Sequence, residues 1–149
     1  MANVSLPSAR FNSLYLLRHS GEHFASVDIS LRIVLDWAFY VRRTGVDWHW
    51  LLAQLDRVGM RPYLAVLNAI CVRYLGFDAS LFPDLPVEQG LVERSMLDIL
   101  APEVEPEEHK NRMREVAFRF RRWYANRWKH DMVYRERAAV SVRNCGAMC

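Results

Sequence analysis

Two histidines four residues apart are the feature of this sequence whose types and spacing point most directly to chemistry. His19 and His23 lie in an apolar-periodic stretch, with Arg18 just before the first and Glu22 just before the second. On a helix both imidazoles project from one face, as the paired histidines of helical zinc sites do. A helical metalloprotease motif needs a glutamate where this chain has Ser20, and no third ligand is evident. We therefore predict no metal site.

Three roles stay open for these histidines: a metal pair, imidazoles packed beside apolar residues, or the lining of a cleft that faces another domain or an anionic ligand. We favour the cleft. Arg32 and Asp36 are also four apart, on the next predicted helix. If exposed, they form an intrahelical pair worth about a few tenths of a kcal/mol; if buried, they need partners such as His19 or His23. The predicted ligand-binding residues are Arg18, His19, His23, Arg32 and Asp36.

A second candidate site is a basic, aromatic segment near the end of the sequence. Its cations include Arg119, Arg122, Arg127 and Lys129, and its interleaved rings are Phe118, Phe120, Trp123, Tyr124 and Trp128. Cations and rings in such a mixture can neutralise phosphates and stack on bases. Because the rings recur at helical spacing, core packing is the favoured role for most of them, and anion or nucleic-acid binding is the alternative.

Composition places limits on the function. The chain has 149 residues, of which 52% are hydrophobic and 25% charged, as in an ordinary one-domain globular protein. No apolar run approaches the ~20 residues of a membrane span, and no signal peptide is evident, so we predict a cytoplasmic protein. The sequence lacks nucleotide-binding glycine loops, a nucleophile elbow and zinc or disulfide cysteine spacings, so we predict no catalytic residues and no cofactor bound by the chain itself.

Apolar residues at helical spacing predict an all-α bundle of five or six helices, mostly antiparallel neighbours, with a long basic C-terminal helix. The first helix spans about 8–25, and the second starts at Leu31 and stops before Gly45. The third follows Asp47 and ends at Gly59, and the fourth runs from Pro62 to Gly76. The fifth carries Leu91 to Leu100, and the last spans about 107–137. The predicted organisation is a bundle at 1–101, the long helix packing on it at 102–137, and a disordered tail at 138–149.

Residues 11–24 and 29–38 resemble the helical half of a family of bacterial nucleotidyltransferases. The family pattern is Leu-x-x-His-x-x-x-His followed by Leu-Arg-x-x-x-Asp-Trp, and its matches here are Leu16, His19, His23, Leu31, Arg32, Asp36 and Trp37. The resemblance continues through Asp47-Trp48, the Gly59 turn, residues 74–76 and residues 122–130. It covers most of the chain, up to about Tyr134.

Members of that family carry a Gly-Ser turn and an Asp-x-Asp pair on a strand before this region, where the carboxylates hold magnesium ions that position a triphosphate. This sequence has neither motif. The resemblance therefore implies a helical accessory domain on the substrate side of the cleft, with Arg18, His19, His23 and Arg32 meeting a phosphate or acceptor and Asp36 orienting them. Magnesium and a nucleoside triphosphate would come with a catalytic domain supplied elsewhere, in a partner domain or partner chain.

Residues 135–149 do not resemble the family, as expected of a truncated or frame-shifted gene or of a separately supplied domain. Two other functions stay open. One is a non-catalytic interaction module that docks on a partner chain, which predicts an exposed apolar patch beside the first helix. The other is nucleic-acid or anion binding through the basic C-terminal helix, which is not favoured and predicts binding that falls steeply with salt.

Overall fold

A computed structural model of the chain describes residues 7–26, 29–100, 116, 120–121 and 123–134. All secondary structure in these residues is helical, which confirms the predicted all-α bundle. The helices are α1 (Ala9–Ser26), α2 (Leu31–Arg43), α3 (Trp48–Val58), α4 (Arg61–Arg73), α5 (Gln89–Leu100) and α6 (Arg127–Val133), with a 3₁₀ turn at Ala79–Leu81. Within the described part of the chain, no helix has the length and apolar character that crossing a membrane requires.

Local chemistry sets the ends of these helices largely as predicted. The Asp47 carboxylate accepts a hydrogen bond from the Trp50 backbone N–H at 3.0 Å, capping the start of α3. Gly59 ends α3 with φ 72°, a left-handed conformation that glycine adopts without steric cost. Pro62 lies in the first turn of α4, where its missing N–H would have no helical partner. Gly76, also left-handed at φ 71°, follows the end of α4.

Helix α4 forms the centre of the fold. Its residues 63–68 are all buried, as expected of a helix that is apolar around most of its circumference. It packs against α2, α3, α5 and α6, whereas α1 packs against α2, α3 and α6. One side of α1 is consequently left facing solvent.

The C-terminal segment differs from the single helix predicted over 107–137. Asn126 forms a turn with φ −92° and ψ 4°, and a new helix, α6, begins after it and ends at Val133. Asparagine side chains compete with helical hydrogen bonds, so a helix is readily interrupted there. Met132 and Val133 of α6 are buried in the core beside α1 and α4. The predicted tail at 138–149 lies outside the described residues.

Candidate ligand-binding face of the first helix

The packing of α1 decides which of its side chains are available to a ligand. Leu17 and Phe24 are buried against the bundle together with Ser13 and Ser20. The serine hydroxyls donate to backbone carbonyls of their own helix, Ser13 to Arg10 at 2.9 Å and Ser20 to Leu17 at 3.0 Å, so their burial leaves no donor unpaired. Because this stripe faces the bundle, the side chains on the opposite side of α1 turn outward.

Four rings lie one above the other on the outward side of α1, and we call them the ring ladder. Phe11 and Tyr15 stack at 6.1 Å and 11°, and Tyr15 and His19 stack at 5.7 Å and 6°. His19 and His23 meet edge to face at 4.5 Å and 78°. Each step is four residues, the spacing that places side chains on one face of a helix. All four side chains are exposed, Phe11 and Tyr15 by more than half.

A groove of about 400 Å³ runs beside the ladder. Phe11, Tyr15 and His19 line it together with Arg18 and Glu22. The Arg18 Nη2 donates to Glu22 Oε1 at 3.3 Å, and both side chains are about half exposed. Exposed pairs of this kind contribute about 0.5 kcal/mol or less. Arg18 can therefore exchange Glu22 for a bound anion at little cost.

Arg18, His19 and His23 are thus brought together on the same exposed face, with His19 directly against His23. Both imidazoles are exposed, and His19 packs against the Tyr15 ring as well as against His23. The cleft and metal-pair interpretations both require this exposure. In the described part of the chain, no three His, Cys, Asp or Glu side chains are grouped closely enough to hold a metal ion.

Arg32 and Asp36 do not join this face. Their side chains are 87% and 63% exposed, their Nε and Oδ2 atoms are 4.0 Å apart, and neither residue lines the groove. The buried-pair interpretation is therefore wrong, since α2 turns both side chains to solvent. Their geometry is that of a weak, solvated intrahelical pair.

Lys129 corrects the prediction of an anion-binding C-terminal surface. Its side chain is 0% exposed, and its Nζ lies 2.6 Å from Asp98 Oδ2 on α5. The ammonium also lies 5.3 Å from the ring centre of Phe24 and 5.9 Å from that of Trp128, within the range of cation–π attraction. A charge buried and paired in this way is not available to a phosphate. The sequence feature that indicates this burial is the position of Lys129, which lies three residues before Met132 and four before Val133, both of them core positions.

The other predicted cations of this segment say less about anion binding. Arg127 is exposed at the start of α6. Arg119 and Arg122 lie outside the described residues. A cation outside this segment contacts it. The guanidinium of Arg94 in α5 lies 4.3 Å from the centre of the Trp128 ring, and this cation–π contact helps to hold α6 to the bundle.

Sequence reasoning also missed Asn68 of α4. It is the one polar residue in the run 64–70, and it is 4% exposed. Its Oδ1 accepts a hydrogen bond from the Trp37 indole at 3.0 Å. A lone amide within an apolar run was the available signal, because a buried amide requires hydrogen-bond partners.

No protein-family model, curated protein or solved structure matches this chain. The nucleotidyltransferase relationship consequently stays a prediction made from the sequence motifs. Functional inference rests on those motifs and on the geometry of the α1 face.

Proposed function

We propose that this chain is the helical, substrate-side domain of a nucleotidyltransferase-family protein. In this role the exposed face of α1 contacts the phosphates of a nucleotide or the acceptor, and the chain does not catalyse transfer by itself. The magnesium ions and the triphosphate are held by a catalytic domain supplied by another segment or by a partner chain. A cytoplasmic location belongs to the same proposal, because nucleoside triphosphates are present there.

The observation that carries the proposal is the joint exposure of Arg18, His19 and His23 on one helix face, beside a groove. Two of them, His19 and His23, are among the residues that match the family pattern. Arginine binds phosphate through two parallel N–H donors, and an imidazole adds a donor at short range.

The chemistry of the face limits it to binding and positioning. Among the described residues, Glu22 supplies the only carboxylate that lines the groove, and two carboxylates are needed to hold a pair of magnesium ions. The sequence contains neither a Gly-Ser turn nor an Asp-x-Asp pair. The α1 face is therefore assigned the orientation of a substrate, and bond breaking is assigned to the partner domain.

Calorimetric titration of the purified chain with ATP, CTP, GTP and UTP, each with magnesium, tests the proposal. We expect a dissociation constant of about 1 mM, near −4 kcal/mol, because only part of the site is present. His19→Ala and Arg18→Ala each remove a phosphate donor and weaken binding about tenfold. His49→Ala and Arg57→Ala on α3 are the matched controls, since both residues are exposed, and they leave binding unchanged.

Two results would overturn this proposal. One is no heat of binding with any of the four nucleotides. The other is equal weakening by the α1 and α3 variants, which would mean that the cations attract the nucleotide only through the overall charge of the protein.

A docking module is the second candidate function, and the exposure of Phe11 and Tyr15 favours it. Large exposed rings side by side are typical of protein interaction surfaces. Under this alternative, Phe11→Ser disrupts association with a chain that carries the missing carboxylates. Nucleotide binding to the isolated chain is absent in that case, which separates the two functions.

A further inference from the structure

The imidazole pair of α1, His19 and His23, has a coordination chemistry that phosphate binding does not use. Both side chains are exposed, and their ring centres lie 4.5 Å apart. Among the described residues, neither imidazole has a hydrogen-bond or ion-pair partner. A neutral imidazole carries one ring nitrogen with a free lone pair. The two rings therefore offer two metal-ligand atoms side by side on one helix face.

The separation of the two rings fits a shared metal ion. A transition metal lies about 2.0–2.1 Å from each imidazole nitrogen, which places two neighbouring ligand nitrogens about 3 Å apart. Rings with centres 4.5 Å apart can bring one edge nitrogen each to that separation. The Tyr15 ring stacks on His19 at 5.7 Å and 6°. This contact is made with the face of the imidazole, whereas the ligand nitrogens lie on its edge.

The charged neighbours of the pair offset each other. Arg18 lies next to His19 in the chain and Glu22 next to His23, and their side chains form an ion pair at 3.3 Å. Without the carboxylate, the guanidinium would repel a bound cation through the short distance between neighbouring residues. Because Glu22 offsets this charge, the face does not exclude a divalent ion.

We propose that His19 and His23 chelate a hydrated divalent transition-metal ion of the class Ni²⁺, Cu²⁺ or Zn²⁺, with water in the remaining coordination positions. Imidazole suits these ions, whereas Mg²⁺ prefers oxygen ligands. The site is consequently distinct from the magnesium that accompanies a nucleotide. The sequence predicts no metal site because a third protein ligand is absent; a site with only two protein ligands binds its metal more weakly and exchanges it readily. The inference needs neither a nucleotide nor a partner domain, so it does not rest on the proposed function.

Amide NMR of the tag-free full chain, titrated with nickel chloride in the absence of nucleotide, tests this site. Paramagnetic Ni²⁺ broadens the resonances of nearby nuclei, so nickel bound elsewhere in the chain, for example at cysteine thiols, broadens other resonances. We expect saturable broadening centred on residues 19–23, with a dissociation constant of about 0.1 mM, because the second imidazole is held next to the first. His19→Ala and His23→Ala each leave a single ligand and are expected to weaken binding about tenfold. His49→Ala, at an exposed position of α3, is the matched control and leaves the broadening unchanged.

Moving the pair by one helical turn provides a gain-of-binding test that a folding defect cannot imitate. Tyr15 lies four residues before His19 and is stacked on it, so Tyr15→His combined with His23→Ala rebuilds a four-residue pair one turn earlier. We expect this double variant to regain the affinity of the wild type, with the broadening moved to residues 15–19. The proposal is overturned if Ni²⁺ broadens no resonances of α1 saturably, if either single variant, His19→Ala or His23→Ala, binds as tightly as the wild type, or if the relocated pair does not regain binding.

Discussion

The buried ion pair between Lys129 and Asp98 yields the most quantitative prediction. Lys129 is 0% exposed, whereas the Asp98 side chain is 23% exposed, and 2.6 Å separates Nζ from Oδ2. The two ends of the pair therefore differ in their access to water. Removal of the carboxylate leaves an ammonium enclosed beside the rings of Phe24 and Trp128. Removal of the ammonium leaves a carboxylate whose Oδ2 is buried but whose side chain as a whole is partly open to water.

Removal of one partner of a buried pair typically costs about 3–5 kcal/mol. For Asp98→Asn we expect about 3 kcal/mol, at the lower end, because the site is open to water on the Asp98 side. For Lys129→Met we expect about 1 kcal/mol, since the methionine keeps the apolar stem in place and the Asp98 side chain is partly open to water. The double variant, which removes both charges of the pair, should be about 1–2 kcal/mol more stable than Asp98→Asn alone.

Urea unfolding followed by circular dichroism measures all three free energies. Asp36→Asn, which removes one partner of the exposed Arg32–Asp36 pair, is the matched control and should change stability by about 0.5 kcal/mol or less. Equal costs for Asp98→Asn and Lys129→Met, or additive costs in the double variant, would refute the reasoning.

Three further perturbations follow from the packing and the titrating groups. Val133→Ala should cost about 2 kcal/mol in urea unfolding, because Val133 is fully buried where α6 meets the bundle; a loss near zero would mean that α6 is not docked. The hydrogen bond from the Trp50 N–H, together with the Arg10 guanidinium, lowers the pKa of Asp47. The stability that ionised Asp47 contributes to the fold is therefore present above about pH 4 and is lost as pH falls through the lowered pKa of the folded protein. The melting-temperature gap between wild type and Asp47→Asn should therefore shrink on acidification, and a gap that does not depend on pH would contradict this. Burial raises the pKa of the Cys71 thiol to about 12, so iodoacetamide should leave it unmodified until denaturant is added, as peptide mass mapping would show; rapid labelling of the native protein would contradict it.

Local signals allowed most of the fold to be predicted from the sequence. Asp47 lies before an apolar-periodic stretch, Gly59 after it, and Pro62 at the start of the next helix. Each of them sets a helix end through the backbone of its immediate neighbours. The structure has helix ends within a few residues of those predictions. The turn at Asn126 was missed because the apolar spacing continues across it, and spacing alone does not show that the helix is interrupted there.

The candidate sites were harder to predict, because exposure depends on which face of each helix meets its neighbours. His19 and His23 were correctly placed on one face, since four-residue spacing fixes that relation. Whether the face was buried depended on the packing of α1 against α2, α3 and α6. The burial of Lys129 and the hydrogen bond to the Asn68 amide depend on contacts with α5 and α2 that lie about 30 residues away in the chain, which no local pattern records.

The central claim is that the α1 face binds the phosphates of a nucleotide, and a backbone amide NMR titration with magnesium ATP tests it most directly. The account predicts saturable shifts concentrated at residues 11–23 of α1, lost in His19→Ala and kept in His49→Ala. Shifts spread over the exposed cations of the whole protein, or no shifts in α1 at saturating nucleotide, would contradict it.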